Sequence, residues 1–97
     1  MRTYKIIGGF TMKTVKQIFV GGIKYSLIQN VSNINKNIIS WTISIETDIF
    51  GFPEKTCFTD VTINKAFAEE LLNRLADGYV TPFSADEVIE NYLVEYA

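Results

Sequence analysis

Histidine does not occur in the 97 residues, and cysteine occurs once. The first absence removes the commonest general base and the commonest metal ligand, so neither a metal centre nor a Ser–His or Cys–His triad is expected. Cys57 has no second thiol with which to close an internal disulfide, which makes a reducing cytoplasm the simplest address. Lying in a β-rich run and lacking any His partner, it reads as a buried structural thiol rather than a nucleophile. Long apolar runs are missing as well. "YKIIGGF" and "KQIFVGGI" are interrupted by charge and glycine, whereas a bilayer-spanning helix needs about 20 apolar residues. The stretch after Arg2 and Lys5 is too short for a secretory signal. Neither glycine pair, Gly8-Gly9 or Gly21-Gly22, has the spacing of a dinucleotide or phosphate loop. No cofactor, no metal and no membrane partner is expected.

Acidic residues are absent from the first 45 positions, which carry Arg2, Lys5, Lys13, Lys16, Lys24 and Lys36; the remainder holds three bases and all eleven acids. The basic residues are scattered, and the sequence pI is near 5.0. Unspecific nucleic-acid binding depends on grouped Lys and Arg, so the favoured reading is that the two halves neutralise each other across the fold or between subunits, which leaves a homodimer open.

What is present is core-forming material. Hydrophobic residues make up 47% of the chain, with seven Phe, five Tyr and one Trp, sufficient apolar side chain for one domain over residues 1–97 and against intrinsic disorder. Thr14 to Val20 and Ile23 to Val31 are strand-like runs joined by Gly21-Gly22, a two-residue connection suited to a turn with positive φ. In the second run Ile23, Tyr25, Leu27 and Val31 share one parity, and Lys24, Ser26 and Asn30 the other, with Ile28 the exception. "SNINKN" supplies a polar turn. Ile39, Trp41, Ile43 and Ile45 then alternate with Ser40, Thr42, Ser44 and Glu46, the pattern of a half-buried strand. After the loop "DIFGFPEK", "TCFTDVT" forms a fourth strand whose inward face the pattern leaves open.

From Thr62 the period becomes helical. Ile63, Phe67, Leu71, Leu72 and Leu75 form one stripe, Thr62 or Asn64 caps its start, and Gly78 stands where a left-handed residue would end it. In "PFSADEV", Ser84 and Glu87 have the spacing of a capping box and Phe83 and Val88 that of a hydrophobic staple, predicting a second helix from Ala85. Its stripe is Val88, Ile89, Tyr92, Leu93 and Tyr96. The predicted fold is α+β: a four-stranded antiparallel β-meander covered on one face by two C-terminal helices. Two readings of the N-terminus stay open. Thr3 to Ile7 is an extra edge strand turned by Gly8-Gly9, or residues 1–11 are a translated leader in which the glycine codons form a ribosome-binding sequence and Met12 is the natural start.

Two features suit binding. Ile49, Phe50 and Phe52 lie on a loop stiffened by Pro53, an arrangement able to anchor a protein partner, although such side chains also fold back as lids on a core. Asp86, Glu87 and Glu90 make the outer face of the second helix acidic and able to meet a basic groove; an ordinary solvated face has the same composition. The adjacent pairs Glu69-Glu70 and Asp86-Glu87 point about 100° apart on a helix and do not form a catalytic couple.

Over residues 57–96 the chain resembles a family of small uncharacterised bacterial proteins, a domain-of-unknown-function group from low-GC Gram-positive bacteria. The matching residues are Asp60, Val61 and Thr62, then Val80, Thr81 and Pro82, then Asp86 to Glu90 and Tyr92. The family usually has histidine and leucine after the proline, where this chain has Phe83, Ser84 and Ala85. The resemblance implies a fold and no activity. Composition and motifs together lead to a non-catalytic protein-interaction module, a regulator or inhibitor that occludes a partner and is encoded on a phage or mobile element. The alternative is an oligomeric small-ligand or nucleotide-binding sponge, which requires Lys16, Lys24 or Arg74 to converge. An enzyme is not expected.

Overall fold

The computed structural model describes residues 4–7 and 10–96. Five strands run β1 (Tyr4–Ile7), β2 (Phe10–Val20), β3 (Ile23–Ser32), β4 (Ile39–Thr47) and β5 (Glu54–Thr62), followed by helices α1 (Lys65–Asp77) and α2 (Ala85–Tyr96). The strands form one antiparallel sheet in chain order, the meander plus the extra N-terminal strand, whose backbone pairs from Tyr4↔Lys13 to Ile7↔Phe10. The Gly8-Gly9 turn, Thr3 and the side chain of Tyr96 lie outside the described residues.

Side-chain alternation decides which face is covered. Ile23, Tyr25 and Leu27 of β3 and Trp41, Ile43 and Ile45 of β4 meet Ala68, Leu71, Leu72, Leu75 and Ala76 of α1 and Ala85, Ile89 and Tyr92 of α2 in one buried core. Each large side chain buried there contributes roughly 1.5–3 kcal/mol. Gly21 and Gly22 take φ of +59° and +76°, so the hairpin is the left-handed two-residue turn their sequence predicts. Ser32 Oγ accepts from the Ile34 and Asn35 N–H groups at 3.2 Å each, organising the "SNINKN" turn.

Several local expectations are revised. Ile63 is 82% exposed and lies outside the α1 stripe, because Asn64 is the cap: its Oδ1 accepts from the Phe67 N–H at 3.1 Å, and Thr62 Oγ1 accepts from the Asn64 N–H. Gly78 is not left-handed, with φ of −89°; Tyr79 takes that conformation at +51°. At the start of α2 the capping box gives way to a different arrangement, in which the Glu87 N–H donates to Asp86 Oδ1 at 3.0 Å and the Ser84 and Thr81 hydroxyls lie 3.4 Å apart. Phe83 does not close a staple; it is 60% exposed. Cys57 is exposed rather than buried. A bulge in β5 sets Thr59, Asp60 and Val61 against Thr42 alone, which lets both Phe58 and Val61 pack on the core and leaves Cys57 on the other face.

Tyr25 ties the sheet to the helix connection, its hydroxyl donating to the Val80 carbonyl oxygen at 2.8 Å. Burial pushes its pKa from 10.0 to about 12. Because the folded value lies above the unfolded one, the neutral phenol stabilises the fold fully below pH about 10, and that contribution is lost as pH rises to about 12. Urea midpoints measured up this range should fall for the native chain. Tyr25→Phe, lower at neutral pH by about 1 kcal/mol, should fall less steeply; an equal slope would remove Tyr25 as the cause.

Candidate functional site

Three connections converge at one end of the sheet. The β2–β3 turn supplies Gly21 and Gly22. The β4–β5 loop begins with a tight turn in which the Gly51 N–H donates to the Asp48 carbonyl oxygen at 3.0 Å. Thr47 secures the start of this loop: its hydroxyl donates to the Gly22 carbonyl oxygen at 2.9 Å and accepts from the Ile49 N–H at 3.2 Å. The third connection, between α1 and α2, contributes Tyr79 and Phe83.

The contacts among them are close. A Cβ on Gly21 would lie 2.8 Å from the Tyr79 ring, and one on Gly22 would lie 2.7 Å from Ile49 Cγ2. The two glycines therefore supply positive φ and also the space in which these side chains seat. Phe50 and Phe83 meet edge-to-face, with ring centroids 5.1 Å apart and planes at 68°, a geometry favoured by the aromatic quadrupole. Even so, Ile49, Phe50, Phe52, Tyr79 and Phe83 are between 43% and 60% exposed. Ile49, Phe50, Tyr79 and Phe83 form an apolar patch that is supported from below and open above. Neither loop phenylalanine folds into the core, because the short Asp48–Gly51 turn holds the segment outside it.

Of the residues singled out in the sequence, Ile49 and Phe50 belong to this patch, and Phe52 is exposed on the same loop. Asp86 and Glu90 lie elsewhere, lining a cleft between α2 and β5 with Phe58, Val61, Ile89 and Leu93, and Glu87 is exposed outside that lining. Phe83 and Tyr79 were not identified in the sequence as part of this patch. The first has the spacing of a helix staple, and the second carries no periodic signal, its place being set by tertiary contact with Gly21. Next to the hairpin a hollow of about 560 Å³ runs past Phe19, Lys24, Glu46 and Lys55. In it Lys24 Nζ meets Glu46 Oε2 at 2.8 Å and Lys55 Nζ approaches Glu46 Oε1 at 3.9 Å, joining a base of the first half to an acid of the second. Lys24 and Arg74 do not converge within one chain: Lys24 lies on the sheet face turned away from the helices, and Arg74 lies over the Tyr92 ring of α2 at 5.1 Å.

No group of three metal-capable side chains comes together among the described residues. Among them, no helix is long and apolar enough to cross a membrane. Comparison with known families matches residues 10–95 to DUF6514, a family of unknown function. No curated protein and no solved structure matches the chain. The match runs from β2 to α2, and the chain belongs to this family of unknown function.

Proposed function

We propose that this family member is a non-catalytic interaction module, a regulator or inhibitor that binds a protein partner through the aromatic end of its sheet and occludes the partner's surface. The cytoplasm of a low-GC Gram-positive bacterium, with the gene on a phage or other mobile element, is the setting in which we place that role. One observation carries the reading. Apolar side chains from two separate connections, Phe50 and Phe83, stack on each other while remaining 43% and 60% exposed, next to Ile49 and Tyr79 on the hairpin glycines. Grouped exposed aromatics on a rigid support are suited to hot-spot contacts, each worth roughly 2 kcal/mol or more when fully covered.

The test is affinity capture from a bacterial lysate with the native chain and with Phe50→Ala/Phe83→Ala. The native chain should retain a stoichiometric protein, and the double variant should bind that protein roughly 100-fold more weakly at an unchanged melting temperature. Undiminished binding by the folded variant would refute the assignment of this surface. Native mass spectrometry of the purified chain covers the sponge reading, which requires a retained small ligand in an oligomer.

A further inference from the structure

The sheet face turned away from the helices is built differently from an ordinary solvated face. Ser26, Asn30, Ser40, Thr42 and Ser44 point to it, yet none is more than 9% exposed. They are short side chains set below taller neighbours on a sheet bent by bulges at Thr14/Lys16 and at Trp41/Ile43. Toward one end this floor opens into a pocket of about 240 Å³ lined by Phe10 and Met12 of β2, Asn30 of β3, Thr42 of β4 and Thr59 and Asp60 of β5. Pockets for drug-sized ligands run from roughly 300 Å³ upward, so this one suits a single side-chain-sized group.

Its hydrogen-bonding capacity is one-sided. Asn30 Nδ2 donates to Thr42 Oγ1 at 2.7 Å and to Ser40 Oγ at 3.2 Å, and Ser40 Oγ donates to Asp60 Oδ1 at 2.5 Å. This chain uses both amide protons of Asn30 and directs the serine proton to the carboxylate. Asn30 Oδ1 is left buried without a partner, in a side chain only 5% exposed, and a buried acceptor left unmet is unfavourable. Asp60 adds a negative charge, and none of the lining residues among those described is basic. Asp60 also holds φ of +52°, a conformation unusual outside glycine and of the kind that accumulates at binding sites. The walls are an aromatic ring and a thioether. An unmet carbonyl, a carboxylate and apolar flanks call for a flat cationic donor.

We infer that this pocket binds a guanidinium group, which gives N–H donors to the Asp60 carboxylate, lies against Phe10, and meets Asn30 Oδ1 as that buried amide turns toward the pocket. The site lies apart from the aromatic end and does not depend on the function proposed there.

Titrating the full-length chain with N-acetylarginine amide, followed by amide and side-chain NMR, provides the test, with the neutral isostere N-acetylcitrulline amide as control. The arginine compound should shift the Asn30 side-chain NH₂ and the Thr59 and Asp60 amides saturably, with Kd in the millimolar range expected for a single side chain, roughly −4 kcal/mol. The citrulline compound should not. Asp60→Asn keeps a side chain that tolerates left-handed φ and removes the charge, and it should weaken binding at least tenfold. Asp77→Asn, an acid at the end of α1 outside the pocket lining, should leave binding unchanged. Equal shifts with citrulline, no saturation, or undiminished binding by folded Asp60→Asn would each overturn the inference. A Gly-Gly-Arg-Gly-Gly peptide separates the two sources: binding tighter than the amide points to an arginine of a polypeptide, equal binding to a free guanidino compound, and both retain the guanidinium site.

Discussion

Replacing Ile43 with alanine is expected to cost about 2–5 kcal/mol of folding stability and to lower the melting temperature by roughly 10–30 °C. The side chain is 0% exposed, on the interior strand β4, facing Leu27 of β3 and Phe58 of β5 across the ladder and covered by the helices. Alanine there loses the transfer free energy of the removed carbons and leaves a cavity that the two packed layers close only in part. Its neighbour Ser44 is nearly as inaccessible, at 3%, but it points to the open face, where its hydroxyl accepts a weak hydrogen bond from the Cys57 thiol at 3.7 Å. Ser44→Ala should change stability by no more than about 1 kcal/mol. Chemical denaturation of the two variants measures the contrast. Similar losses would mean that the open face carries a second core and that the one-sided arrangement of this fold is wrong.

That contrast also shows how far the sequence could be read. The alternation of Ile39, Trp41, Ile43 and Ile45 identifies the inward face of β4 because a strand sends successive side chains to opposite sides. The helical spacing of Leu71, Leu72 and Leu75 likewise identifies what covers it. Gly21-Gly22 locates the hairpin because a two-residue turn with positive φ at both positions leaves few other choices. Where the period breaks, the pattern fails. Cys57, Thr59 and Val61 share a parity in the sequence, but the residues inserted opposite Thr42 reverse it, so Phe58 and Val61 face inward together. Ile28, the apparent exception, pairs with Thr42 on the open face beside Asn30 and Ser40. Half of the aromatic patch could be read from "DIFGFPEK", since loop aromatics beside glycine and proline need no long-range information. Phe83 and Tyr79 were illegible for the opposite reason, because their exposure and contacts depend on a helix connection being laid across a hairpin more than 50 residues earlier in the chain. The pocket with Asn30 and Asp60 joins four strands and has no local signature.

Gly21→Val is expected to destabilise the fold by about 3 kcal/mol and to weaken partner binding at the aromatic end as well. Two effects combine. A β-branched residue at φ of +59° is strained by roughly 1–3 kcal/mol. In addition its Cβ would sit 2.8 Å from Tyr79 Cδ1, closer than carbon atoms approach, so the ring must leave its seat. Gly51 separates the two contributions. It has φ of +88° with nothing within 4 Å of an added Cβ, so Gly51→Ala reports backbone strain alone, about 1–2 kcal/mol. Gly21→Ala should exceed that by the lost packing of Tyr79, of order 0.5–1.5 kcal/mol. Tyr79 itself sits at φ of +51°, held there by what it packs against, so displacing the ring also releases the α1–α2 connection that carries Phe83. Thermal melts of the three variants, with partner capture for Gly21→Ala, decide the matter. Equal costs for Gly21→Ala and Gly51→Ala, with capture undiminished, would show that the hairpin does not support the patch and that the aromatic end is held by Thr47 and the Asp48–Gly51 turn alone.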